Sequence, residues 1–198
     1  MKPTSEWHDP SKTCPIPFVE PGKDRYYSVT PTPVGQMLLM SDGESLVELQ
    51  LPSFAPWDDL SDVCIQDDAL LDPVAREIAA YFEGDLIEFS TPLAPLGTPF
   101  QRGVWQALLD IAYGTTATYG EIAASVGRPK AQRAVGMANH VNPIALIIPC
   151  HRVIGASGSL TGYGGGLPLK AALLELESDV VAGRRPSWDP EAHRLRRL

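Results

Sequence analysis

A thiol, an imidazole and a guanidinium stand in consecutive positions at Cys150, His151 and Arg152. They follow Pro149 and the uncharged run Ile144-Ala145-Leu146-Ile147-Ile148, which is rich in β-branched side chains and reads as a buried strand. Pro149 cannot donate a ladder hydrogen bond, so the strand is expected to stop there and deliver the three side chains straight from the core. A thiol reacts as its thiolate, and its pKa of about 8.5 falls beside a cation or a base. On a strand Cys150 and His151 would point to opposite faces, so they can cooperate only if the chain turns at Cys150. A histidine base needs a third group to orient it, and Glu177 and Asn142 are the candidates. The bland reading is an inert packed cysteine, since free Cys is among the most buried residue types. The flanking Pro, His and Arg weigh against it.

The elements that must hold these groups follow from the chain in order. Residues 1–23 carry five prolines without periodicity and read as a mobile extension. Strand patterns at Tyr27–Thr30, Gln36–Met40 and Leu46–Leu51, with turn residues at Pro31–Gly35 and Ser41-Asp42-Gly43, predict an antiparallel meander of about three strands. Residues 52–71 are acidic and loop-like. Asp72-Pro73 opens a helix that Gly84 ends, with Val74, Ile78, Tyr81 and Phe82 on the stripe that packs on the sheet. No chemistry is evident in this unit, and Cys64 reads as a packed thiol.

Thr91–Gly97 reads as a linker. Thr98-Pro99 then caps a helix bearing Phe100, Val104, Trp105, Leu108 and Ile111 and ending by Gly114, with Trp105 as core. Thr118-Tyr119-Gly120-Glu121 is a capping box opening a short helix to Val126, and a second helix runs from Lys130 to about Asn139. Two short helices about a Gly-containing turn have the shape of a helix-turn-helix. Ala131, Ala134, Gly136 and Ala138 are expected to leave one face of the second helix nearly bare, while Arg133 projects a long cation. Such a face suits approach to a groove wall, although it would suit a neighbouring helix equally well. From about Ser178 the periodicity fades into an arginine-bearing tail, more simply read as solvated than as a phosphate contact.

The expected architecture is therefore α/β (α+β). A small N-terminal three-stranded antiparallel sheet with a helix is followed by a mainly helical C-terminal domain with a helix-turn-helix and a short active-site strand. The divisions are a 1–24 extension, a 25–96 α/β domain, a 97–178 domain with the reactive motif and a 179–198 basic tail. Cys14, Cys64 and Cys150 form no CxxC or Cys/His cluster, which favours a reducing cytoplasm over disulfides or zinc. No apolar run is long enough for a transmembrane helix, and no signal-peptide core is evident. The net charge of −8 looks wrong for a nucleic-acid binder, but residues 1–100 carry 17 acidic and five basic groups. Residues 119–170 carry five basic groups against Glu121, so the basic stretch coincides with the motifs.

The segment Asn142-Pro143 through Pro149-Cys150-His151-Arg152-Val153 resembles the acceptor motif of the O6-alkylguanine-DNA alkyltransferases, suicide DNA-repair proteins. Gly162-Tyr163-Gly164-Gly165-Gly166-Leu167 and Lys170–Glu177 are similar to the family's closing segment. The likeness is close over about Thr98–Glu177 and looser over Tyr26–Thr91. It implies that Cys150 takes the alkyl group of O6-alkylguanine irreversibly, with His151 and Glu177 as relay and Asn142 as hinge. O4-alkylthymine is a further substrate it leaves open. By the same resemblance Tyr119 helps swing out the target nucleotide, Arg133 fills the gap in the stack, and Ala134 lies on the minor-groove face. Tyr163 donates to the guanine ring, Gly164 offers a backbone N–H, and Arg152 and Val153 complete the acceptor segment. The chemistry requires such a device, because an alkyl group on O6 lies inside the duplex and the base must be flipped out.

Ala145 and Gly164 depart from the family's commonest Pro and Ser, which leaves the range of alkyl sizes open. The zinc ligands of some members have no counterparts, so no metal and no cofactor are expected. The implied partner is double-stranded DNA, without membrane, bound by a chain expected to be a monomer in the absence of DNA, with cooperativity on DNA left open. The rivals are a noncatalytic alkyl-damage recognition module, which would lack the acceptor cysteine, and a helix-turn-helix regulator, which would leave Cys150–Arg152 unexplained.

Overall fold

A computed structural model of the chain describes residues 24–55, 57, 60, 61, 63–189, 194 and 195. The N-terminal extension, Cys14, Arg196 and Arg197 lie outside the described residues. Strands β1 (Tyr26–Thr32), β2 (Gly35–Ser41) and β3 (Leu46–Gln50) form the expected meander. Pro33 and Val34 make its first turn, and Gly35 follows with φ 120°, a conformation that favours glycine.

The sheet has four strands, not three. Residues 52–71 are not plain loop, because β4 (Ile65–Gln66) joins β1 in parallel and the order is β3-β2-β1-β4. Two exposed residues held by backbone hydrogen bonds leave no alternation to detect. Helix α1 (Asp68–Glu83) also begins earlier than expected. Asp67 accepts from the Leu70 N–H as its cap, and Pro73 lies inside the helix rather than at its first position. A local cap therefore outweighs the proline. The apolar stripe of Val74, Ile78, Tyr81 and Phe82 is buried as expected, and Gly84 closes the helix in the left-handed region.

The edge strand β3 is covered rather than exposed. Leu46 N–H donates to Pro92 O at 2.8 Å and Leu49 N–H to Pro143 O at 2.8 Å. The segment after α1 and the segment before Cys150 thus occupy the sheet edge, which would otherwise offer unpaired backbone groups. This pairing carries the reactive segment to the sheet.

Helices α2 (Pro99–Leu109), α3 (Tyr119–Ser125) and α4 (Gln132–His140) follow, with β5 (Ala117–Thr118) preceding α3. Thr98 with Gln101, and Thr118 with Glu121, form the two capping boxes. The small residues of α4 do not share one bare face. Ala138 is 1% exposed beneath Trp105, Gly136 faces the Tyr119 ring, and Ala134 is in solvent. Tertiary packing splits a set that spacing alone had united. Trp105 Nε1 donates to Ala138 O at 2.9 Å, so α2 holds α4 through an indole. Replacing Trp105 with Phe should cost about 1–3 kcal/mol in urea unfolding, from the lost donor and the smaller ring.

After β6 (Val153–Ile154), which pairs in parallel with β5, helix α5 runs Gly166–Val181, past the expected fading point at Ser178. The segment beyond it is not simply solvated where it is described. Trp188 packs edge-on against Phe82 and donates to its carbonyl at 3.0 Å, and Arg185 pairs with Asp85. It belongs to a short β7 (Trp188–Asp189) and β8 (Arg194–Leu195) pair. No helix among the described residues is long and apolar enough to cross a membrane.

Candidate active site

Ile144–Ile148 is buried as expected but is not a strand. It makes isolated bridges, Ile144 to Leu49 and Ala145 to Ile148, around a tight turn with Leu146 at φ 78°. A non-glycine residue in that region is strained and must be held by its surroundings. Asn142 supplies part of that hold, its Nδ2 donating to Ile148 O at 2.8 Å and its Oδ1 accepting from Ile144 N–H at 3.1 Å. The turn that cooperation between Cys150 and His151 requires is present, since Cys150–Arg152 form a single 3-10 turn after Pro149.

Glu177, on α5, is the group that meets the histidine. His151 Nε2 lies 2.8 Å from Glu177 Oε1, and both side chains are fully buried. Arg152 Nε donates to Glu177 Oε2 at 3.0 Å and its Nη2 to Oε1 at 3.0 Å, while its Nη1 donates to Ile111 O. Tyr81 Oη donates to Oε1 at 2.8 Å and Gly114 N–H to Oε2 at 3.1 Å. Burial alone would raise this carboxyl, but hydrogen bonds and charge from His151 and Arg152 hold it down, to about 2. The carboxylate in turn fixes the imidazole proton on Nε2. Nδ1 meets no described protein group and keeps a lone pair for a proton.

Burial pushes the Cys150 thiol up, against the opposing pull of the Asn142 side chain, the Lys170 charge and its own backbone N–H. Burial likewise lowers His151, and this outweighs the nearby Glu177 carboxylate. At neutral pH these shifts leave a protonated thiol and a neutral imidazole on consecutive residues of the turn. Lys170 is also buried, its Nζ donating to Val153 O at 2.6 Å and Thr161 O at 2.8 Å. It ties α5 to the loop carrying the glycines.

Tyr163 stands edge-on to His151 with ring centroids 6.3 Å apart, and its buried hydroxyl meets no described protein group. Gly164 is exposed, its carbonyl accepting from Ser53 Oγ at 3.0 Å, and a Cβ there would come within 3.1 Å of the Phe54 ring. Bulk at this position is thus opposed by the N-terminal unit. Arg133 and Ala134 lie exposed on α4, away from the buried cluster. Tyr119 is half-buried at the start of α3, its hydroxyl 3.3 Å from Thr161 Oγ1. Val153 is fully buried in β6.

Residues 25–95 match the family model described as "6-O-methylguanine DNA methyltransferase, ribonuclease-like domain", and residues 99–179 the one described as "6-O-methylguanine DNA methyltransferase, DNA binding domain". The chain belongs to the 6-O-methylguanine DNA methyltransferase family. It is 48% identical over 152 residues to the methylated-DNA–protein-cysteine methyltransferase of Methanosarcina acetivorans, covering 77% of this chain and 97% of the relative. The protein of the same name from Mycobacterium leprae is 49% identical over 156 residues, covering 76% and 90%. A Mycobacterium tuberculosis relative solved in complex with DNA superposes with a TM-score of 0.72 at 46% identity, covering 78% of this chain and 94% of the other.

In this methyltransferase-family chain, two groups of the cluster escape a reading of the sequence. Tyr81 sits on an apolar stripe and reads as core, and Lys170 reads as surface charge. Tyr81 gives no warning in the sequence. Lys170 does, because it occupies a core-facing position of α5 three residues before the buried Leu173.

Proposed function

We propose that this chain repairs DNA by direct reversal, taking the alkyl group of O6-alkylguanine in duplex DNA onto Cys150. The observation that carries the reading is a buried thiol and, next to it in the same turn, a buried imidazole whose Nε2 is tied to Glu177 and whose Nδ1 has no hydrogen-bond partner among the described residues. In the reaction the thiol proton passes to His151, through a bridging water. Sγ attacks the alkyl carbon, the S–C bond forms as the C–O6 bond breaks, and the electron pair goes to the guanine. The base regains a proton on its ring, with the Tyr163 hydroxyl as the donor at hand, and leaves as neutral guanine. The product thioether has no leaving group that would regenerate a thiol, so each chain reacts once.

DNA binding follows the same family membership. The approach by the minor groove is our reading of α3, α4 and the turn between them, where Arg128, Lys130 and Arg133 are exposed and the N-terminus of α4 has no side-chain cap. Asn142 joins this unit to the acceptor turn. Tyr119 at the head of α3 and Ala134 on the exposed side of α4 flank the path of a flipped nucleotide, and the backbone of Gly164 faces the base. Arg152 and Val153 act from within, the first on Glu177 and the second through Lys170.

Incubation with a duplex containing one O6-methylguanine should add the mass of one CH2 group, saturating at one per chain. Tight binding without that gain would reduce the protein to a recognition module. Arg133→Ala should slow transfer from duplex by about tenfold or more, since an unstacked base costs a few kcal/mol. It should leave alkylation of Cys150 by a small electrophile unchanged, and an equal loss in both assays would place Arg133 in the folding of the site instead.

A further inference from the structure

Tyr81 belongs to α1, in the N-terminal unit, yet its hydroxyl reaches the carboxylate that holds the histidine. It donates to Glu177 Oε1 at 2.8 Å, the same oxygen that His151 Nε2 approaches at 2.8 Å. Its ring is fully enclosed, edge-on to Phe82 and Tyr113 and stacked on Phe89. A position needed only for packing would be served by phenylalanine, because a buried hydroxyl is costly unless its hydrogen bond is made. The next residue, Phe82, is clamped by Trp188 from the far end of the chain. The tyrosine is therefore held from both sides at the joint between the N-terminal unit and α5.

We propose that Tyr81 is a positioning residue of the transfer reaction, its hydroxyl sharing Glu177 Oε1 with His151 and so setting the orientation and basicity of the imidazole. This rests on the function proposed above for Cys150. The groups facing the pair come from every element around it. Arg152 and Cys150 lie on the 3-10 turn, Tyr113 in the loop after α2, Lys170 on α5, and Tyr163 in the glycine loop before α5. Among these the Tyr81 hydroxyl is a neutral donor directed at the oxygen that binds the imidazole. Its donation draws electron density from Oε1, which then stabilises a protonated His151 less. Without the hydroxyl the carboxylate holds the imidazolium more tightly, His151 stays protonated to higher pH, and the base is available only later.

The experiment is single-turnover methyl transfer by the full chain from O6-methylguanine duplex across acid to alkaline pH. Tyr81→Phe should move the acid limb of the rate profile upward by about half a pH unit or more, a hydrogen bond's effect on one protonation state. The loss should be largest on the acid side. A chain carrying 3-fluorotyrosine at position 81, a stronger donor differing by one atom, should move the limb downward. Phe82→Leu, which loosens the same joint but keeps the hydroxyl, should lower thermal stability and leave the limb in place. An unmoved limb in both Tyr81 forms, or a loss by the same factor at every pH, overturns the inference. If Tyr81→Phe does not fold, the fluorinated chain decides alone. If the unmodified chain transfers nothing, the proposed function fails. The pH profile of Cys150 alkylation by iodoacetamide then tests Tyr81 by itself, with the same shifts supporting it and their absence overturning it.

Discussion

Cys150→Ala should abolish alkyl transfer, with no gain in mass after incubation with O6-methylguanine duplex while the unsubstituted chain gains one CH2 group. The loss should be complete rather than partial because, in the proposed reaction, the sulfur is the acceptor as well as the nucleophile. Cys64, the other described thiol, cannot stand in for it. It lies 7% exposed in a separate small cluster with Leu38, Met40, Val47 and Leu60, where burial raises its pKa. Cys64→Ala should therefore transfer normally. The Cys150→Ala chain should still bind the damaged duplex, because the exposed cations of α4 and of the turn before it are untouched. Mass spectrometry and a binding titration separate the two properties, and any mass gain in Cys150→Ala would overturn the assignment of the acceptor. In the unsubstituted chain the rate should rise as pH leaves the acid range, since the thiol must lose its proton and His151 must be neutral to take it.

Glu177→Gln should destabilise the fold by about 3–5 kcal/mol, the usual cost of breaking a buried ion pair by removing one partner. Arg152, 8% exposed, would keep its charge beside the Ile111 carbonyl and the Tyr113 ring but lose its counter-charge, and Arg152, Tyr81 and Gly114 would face an amide that is a weaker acceptor. The pH dependence has a definite sign. The carboxyl is held at about 2 in the fold against 4.5 as its ordinary value. A depressed carboxyl stabilises the protein fully above about 4.5 and loses that stabilisation as pH falls through about 2. The gap between the two chains in urea unfolding should accordingly be widest near neutrality and narrow across that window. Transfer should fall by roughly a hundred- to ten-thousand-fold, the range for loss of an oriented general base. A variant within about 1 kcal/mol of the parent would show that Arg152 finds another partner. A variant with undiminished transfer would remove Glu177 from the relay.

The features legible in the sequence share one property, that each depends on residues close together in the chain. The two capping boxes at Thr98 and Thr118, the stripe of α1 and its Gly84 terminator, and the hairpin turns all rest on contacts within a few residues. The acceptor motif is equally local, and it sufficed to indicate a thiol, an imidazole and a turn between them. What failed did so where a distant partner outweighed local preference. Ile144–Ile148 has the composition of a strand, but hydrogen bonds from Asn142 and the edge of β3 fold it into a turn with Leu146 strained. Asp67 capped α1 six residues before the proline that seemed to open it, and two residues with no alternation became β4 because β1 offered them a free edge.

The sequence by itself therefore determined the family and nominated the candidate thiol, imidazole and carboxylate, because a chemical motif is a property of neighbouring residues. Only the tertiary structure decided how those groups are wired. Glu177 stands 26 residues from His151 and 96 from Tyr81, yet one of its oxygens serves both, and Arg152 spans from that carboxylate to Ile111. Whether a carboxylate is a solvated surface charge or the buried centre of a relay depends on which donors surround it. In this chain those donors come from α1, the loop before β5 and the acceptor turn, brought together by a common core that no local pattern encodes.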